Sequence, residues 1–253
     1  MNTSKIIIII GYLFCIGFSQ VNTEAMREDS DKKLTNSFTF NYNLEQSDLK
    51  VEELGADYRL SYDPHSKFKS FIVLNYESEI AEETKDNALT FSKGFIHARM
   101  TKYLFKKLYG ELFIQNEFND FLYIDKRILV GSVARFKFDN ILSNPIFIGI
   151  GIMDENEDYT VLLEPSKHLI RSTNYIKTTF NVMENITWDN TGYFQFAISE
   201  NDDYRILFDS SLECMINKFI FLSVVLNYRY DSMPHGDLGT SYYQIENGIT
   251  INF

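Results

Sequence analysis

Charged side chains of both signs recur on alternating positions through this sequence: Glu53, Asp57 and Arg59; Glu111 and Glu117; Arg127, Arg135 and Lys137; Arg205, Asp209 and Glu213; Arg229; and Glu246. Alternate residues of an extended chain share a face, so each group would project from one side of its segment. Such a set has two uses. Paired with one another, the charges form a lattice that pins a wall, because a buried charge needs a partner. Facing water in ladders, they select ions. Histidine, the usual acid–base residue near neutral pH, occurs four times, as His65, His97, His168 and His235. No spacing sets a serine beside one of them, and a catalytic triad is defined by geometry. The sequence therefore nominates no catalytic residue and no enzyme. Two acidic stretches remain, one with Glu77, Glu79, Glu82, Glu83 and Asp86, the other with Asp154, Glu155, Glu157 and Asp158. The second lacks the spaced oxygens and central glycine of a helix–loop–helix calcium site, so no metal site and no cofactor is expected.

The elements that must carry these charges are strands. Residues 240–253 alternate strictly: Tyr243, Ile245, Ile249, Ile251 and Phe253 on one face, Tyr242, Gln244, Glu246, Gly248, Thr250 and Asn252 on the other. The same two-residue period runs through Phe38–Leu44, Leu54–Tyr62, Phe68–Tyr76, Ile128–Phe138, Ile146–Ile152, Tyr204–Cys214 and Ile220–Tyr230. Nearly every strand offers one oily and one polar face, so the oily faces cannot all bury against a second protein layer. Lipid is the remaining partner, and in lipid a sheet must close, because unpaired backbone groups cost several kcal/mol each.

The ends and the composition agree with export. Lys5, an apolar run over residues 6–18, and small Gly17 and Ser19 before a cut after residue 19 have the form of a signal peptide, and that run is too short to span a bilayer. Its removal leaves Cys214 as the one cysteine, so no internal disulfide is available. The formal net charge of −11 argues against a nucleic-acid partner. With 22 Phe, 16 Tyr and 4 Pro, the chain is aromatic in the manner of membrane barrels, and Tyr42, Tyr62, Tyr76, Tyr228, Tyr230 and Tyr243 fall near strand ends, where an interfacial girdle sits.

The expected organisation is a signal peptide over 1–19, a disordered periplasmic lead over 20–33, and over 34–253 an all-β, transmembrane, antiparallel up-and-down β-barrel of about twelve strands. Two of those strands lie between residues 170 and 199 with no boundary fixed by sequence. Short turns near 63–66, 106–107, 140–145 and 215–218 would be periplasmic, and 77–87, 154–169 and 231–239 would be longer outer loops. The polar faces would line a lumen, with Glu53, Asp57, Arg59, Arg127, Arg135, Arg205, Asp209, Glu213, Arg229 and Glu246 as its candidate charges.

Several short runs resemble a known family. Ile124-Asp125-Lys126-Arg127-Ile128-Leu129-Val130-Gly131 is similar to the D-x-R-x-x-x-G strand of the salt-induced outer-membrane protein family (the YdiY-like domain). Asp203-Tyr204-Arg205, Tyr230-Asp231-Ser232-Met233-Pro234 and Gly248-Ile249-Thr250-Ile251-Asn252-Phe253 resemble it too, in matching order. The resemblance implies a bacterial outer-membrane barrel of uncharacterised activity with no established catalytic residues. Phe253 is similar to the terminal signal read by the barrel assembly machinery. The functional expectation is a monomeric outer-membrane barrel, a narrow channel or a structural element, whose partners are outer-membrane lipid and, through its C-terminal strand, that machinery. The alternative is a surface binding or adhesion barrel acting through its acidic outer loops.

Overall fold

A computed structural model describes residues 24, 27, 33–46, 50–64, 66–84, 87–139, 144–161, 165–200, 202–235 and 238–252. The signal peptide (1–19), His65 and the terminal Phe253 lie outside these described residues. Twelve strands form one closed antiparallel barrel: β1 (Leu34–Gln46), β2 (Lys50–Tyr62), β3 (Phe68–Thr84), β4 (Asn87–Phe105), β5 (Leu108–Asn119), β6 (Ile124–Phe138), β7 (Ile146–Tyr159), β8 (Lys167–Met183), β9 (Ile186–Ala197), β10 (Tyr204–Met215), β11 (Ile220–Asp231) and β12 (Ser241–Asn252). Each strand pairs with its sequence neighbours, and β12 closes on β1. Leu34 and Asn252 lie at one end, called the lower end. The upper end carries the connections 160–166, 198–203 and 232–240 and a 3₁₀ turn, Asp120–Leu122.

The two-residue period sets the wall. Leu54, Ile150, Ile152 and Ile245 are 49%, 56%, 55% and 58% exposed on the outside of the isolated chain, while the residues between them turn into the lumen. An apolar surface wrapped around the whole barrel is the face a bilayer covers. Tyr42, Tyr76, Tyr228 and Tyr243 stand exposed toward the upper rim and Tyr62 at the lower end, as an interfacial girdle requires.

Two segments expected as outer loops are strand instead. Residues 77–84 continue β3, and Asp154–Tyr159 completes β7. Tyr76 and Ile80 point outward while Glu79 is buried, and Glu155 and Glu157 are likewise buried in the lumen. When the outward positions are also polar, as with Ser78, Asp154 and Asn156, the apolar–polar contrast fades and the period no longer shows in the sequence. The boundary within 170–199 is the turn at 184–185.

One seam differs from the rest. β1 and β12 pair at five positions, from Ser37 opposite Asn252 to Asn41 opposite Gly248. Every other seam has at least eleven. Above Gly248 the two strands part, and Gln244 Nε2 donates to Glu53 Oε1 (3.0 Å) across the lumenal side of the gap.

Candidate functional site: a lumen of two unlike halves

The inward faces of β4 to β8, with neighbours from β9 to β11, are filled in three layers. In the upper layer Arg127 pairs with Glu117 (2.6 Å) and with Glu157. Arg205 reaches Glu155 (2.7 Å) and Asp231 (2.9 Å). Arg171 pairs with Glu155 and donates to both carboxylate oxygens of Asp203 (2.8 and 3.0 Å). Residues 232–235 and 238–240 fold over this layer. The His235 ring lies against Tyr159 (3.9 Å between centroids), with Nε2 3.7 Å from Glu157, and Leu238 and Tyr242 pack on Phe121, Leu122 and Tyr123.

Beneath it lies an apolar layer of Phe113, Val133, Met153, Tyr175, Tyr193 and Leu207. Its bulk depends on inward glycines. A Cβ at Gly131 would strike the Phe113 ring, and one at Gly149 the Tyr175 ring.

The lower layer is ionic again. Arg99 and Arg135 face Glu111 (3.3 and 3.4 Å), and Tyr175 Oη donates to the same carboxylate (3.1 Å). Two residues from before β1 complete it. Glu24 accepts from Arg99 (2.8 Å) and Arg135, and Arg27 reaches Glu111 (2.6 Å) and Thr101 (3.0 Å). For these two residues the expectation of a disordered periplasmic lead is corrected: Glu24 is fully buried inside the barrel. Arg27 also pairs with Glu24 (3.0 Å), so the lead brings in a carboxylate and a guanidinium together, and each meets an opposite charge on the wall. Burial alone would raise the Glu24 carboxyl, but Arg135, Arg27, Arg99 and Lys177 outweigh it and hold the group well below the usual carboxylate range.

The opposite half, from β9 through β12 and β1 to β3, is hollow. A cavity of about 250 Å³ is lined by short polar side chains, among them Ser37, Thr39, Asn41, Ser211, Ser223 and Thr250, with Gly248. Its charged lining is six carboxyl groups (Asp57, Glu77, Asp189, Asp209, Glu213, Glu246) against two guanidiniums (Arg59, Arg229). Arg229 pairs with Asp209, and Arg59 lies over the Phe71 ring (5.1 Å). Glu246 accepts from Asn227 (2.7 Å), and Asp57 and Glu77 accept from Asn75 (2.9 and 3.0 Å). Lys93, beside the cavity, pairs with Glu77 (2.7 Å). The carboxyl excess survives that addition. From Ser223 to Arg229 the cavity follows β11 for roughly 20 Å at the usual rise per residue, most of the ~25 Å apolar band of a membrane barrel before allowing for strand tilt.

All ten candidate lumen charges face the interior, but in three places. Asp57, Arg59, Asp209, Glu213, Arg229 and Glu246 line the cavity, with Glu53 at its upper edge through Gln244. Arg127 and Arg205 belong to the upper layer, Arg135 to the lower. Sequence reasoning missed Glu77, Lys93, Arg99, Glu155, Glu157, Arg171, Lys177, Glu24 and Arg27. A usable signal existed for some: Arg99 and His97 alternate with outward Ile96 and Met100. No such signal existed for Glu24, which lies on no strand. The described histidines are scattered. His97 meets Gln115 (3.1 Å) in the lumen, His168 meets Asp154 (2.6 Å) on the outside, and His235 meets Glu157. Among the described residues no three His, Cys, Asp or Glu side chains are grouped to hold a metal ion.

No protein-family model matches the sequence, and no curated protein matches it. Solved structures do resemble the fold. The translocator domain of the autotransporter NalP from Neisseria meningitidis superposes with a TM-score of 0.54 at 8% identity, covering 91% of each chain. The NanC porin gives 0.48 at 9% identity over 87% of this chain and 97% of its own. The beta domain of the Bordetella autotransporter BrkA gives 0.43 at 9% over 87% and 98%. The architecture is therefore that of an outer-membrane β-barrel, and the likeness is one of fold.

Proposed function

We propose that the protein resides in the bacterial outer membrane as a narrow pore preferring small cations, conducting through the hollow half of its lumen while the other half holds the wall rigid. One observation carries the reading: the cavity is lined by six carboxyl groups against two guanidiniums. A passage walled by one sign of charge concentrates the opposite ion. The resemblance of residues 124–131 to the salt-induced outer-membrane family supports the location but names no solute. In this reading Phe253 serves assembly, lipid is the partner of the outer face, and the barrel acts as a monomer without cofactor or covalent chemistry.

Refolded protein in a planar bilayer under a potassium chloride gradient tests this. The reading expects small current steps whose reversal potential lies toward that of potassium. Silence at every voltage would refute it and leave a structural barrel; a reversal potential toward that of chloride would refute the cation preference.

A further inference from the structure

The lower ionic layer contains more than a wall needs. Arg99, Arg135 and Lys177 come from three different strands, β4, β6 and β8, and converge around the wall carboxylate Glu111, with Asp189 of β9 acting on Lys177. All three cations are buried. A buried cation short of a counter-charge costs several kcal/mol, so an anion within reach of the two guanidiniums is stabilised. The anion present is Glu24. Arg99 Nη1 (2.8 Å) and Arg135 bind its carboxylate, and Lys177 Nζ donates to the backbone carbonyls of Glu24 (3.2 Å) and Arg27 (3.1 Å). Arg27 then answers Glu111 (2.6 Å), so the two lead residues satisfy the wall's charges reciprocally. These contacts join residues more than seventy positions apart in sequence, and nothing in local chain geometry imposes them.

We infer that Arg99, Arg135 and Lys177 form a carboxylate-binding seat in the lumen, and that its resident ligand is Glu24, which precedes the first strand. The geometry is that of ligand recognition: two guanidiniums on the carboxylate, an ammonium on the adjoining backbone, and a second salt bridge three residues along. Glu24 lies on none of the barrel strands, so it can leave the seat without breaking a backbone pair of the wall. Emptying the seat would leave its cations facing the lumen.

The test reads the position of Arg27 directly. Refolded protein is exposed to an arginine-specific protease, and the cut after Arg27 is followed by mass spectrometry, with heat-modifiable electrophoretic mobility reporting that the barrel is folded. Seated, Arg27 is mostly buried and protected. Glu24→Gln keeps the size of the side chain and removes its charge, and it should speed the cut by about tenfold or more, since cleavage tracks the population of the open form. Combining Glu24→Arg with Arg135→Glu should restore protection by exchanging the charges. Equal cleavage of folded wild type and Glu24→Gln would overturn the seat, as would a folded double variant no better protected than Glu24→Arg alone. The effect on current rests on the pore reading, whereas the protease result does not. Increased current in Glu24→Gln upholds both; an exposed Arg27 with no current upholds the seat and counts against the pore.

Discussion

The two halves of the lumen share one wall, one strand period and charges of both signs, yet one is filled and the other hollow. On the filled side inward arginines meet inward glutamates at hydrogen-bonding distance, and rings of Phe113, Tyr175 and Tyr193 occupy the space between the ionic layers. On the hollow side the inward positions between charges are mostly Ser, Thr and Asn, with Gly248, Val73, Val225 and a single ring, Phe95. The difference lies in the volume of the residues between the charges more than in the charges themselves. Large apolar side chains exclude water and force the charges to pair. Small polar ones leave room for water, which can solvate a carboxyl group that has no guanidinium within reach.

That contrast can be broken from either side. Arg171→Ala removes a fully buried guanidinium from Glu155 and Asp203, and should cost about 3–5 kcal/mol in urea-titrated refolding into lipid vesicles, the range for stranding one member of a buried pair. Val224→Arg, on the oily side of β11, should cost roughly 2–4 kcal/mol by the same titration if it sits at the bilayer midplane. Asn227→Arg, on the lumenal side of the same strand, should cost far less and shift the reversal potential away from that of potassium. Equal destabilisation by these two would void the assignment of faces. Gly131→Val forces a side chain against the Phe113 ring and should destabilise by about 1–3 kcal/mol, the usual cost of overpacking. Ser223→Phe, placed in the hollow half, should leave the unfolding midpoint nearly unchanged and lower the single-channel current. Glu246→Gln should have the smallest effect, a modest loss of cation preference with the current retained.

Much of the architecture was legible in the sequence because a two-residue period is a strong signal wherever one face is oily. Twelve strands, the outward tyrosines and the inward direction of all ten candidate charges follow from it. The period fails where both faces are polar, which is why 77–84 and 154–159 read as loops. Pairing was not legible at all. Which arginine meets which glutamate depends on the register between strands, and Arg205 with Glu155 spans fifty positions. The apolar layer was half visible, since Val133, Met153 and Leu207 fall on inward positions, but sequence alone gave no reason to set them at one height. The entry of Glu24 and Arg27 depends on Arg99, Glu111, Arg135 and Lys177, which come together only once β4, β5, β6 and β8 are assembled.

The division of the lumen is tested most directly by the reactivity of single cysteines. In a Cys214→Ser background, Val225→Cys places a thiol on the cavity lining and Val133→Cys places one in the apolar layer. Both are treated in the folded barrel with a small, positively charged, water-soluble thiol reagent, whose rate is governed by access. The account predicts reaction at 225 at least about tenfold faster than at 133. Equal rates at the two positions, or a faster reaction at 133, would contradict it.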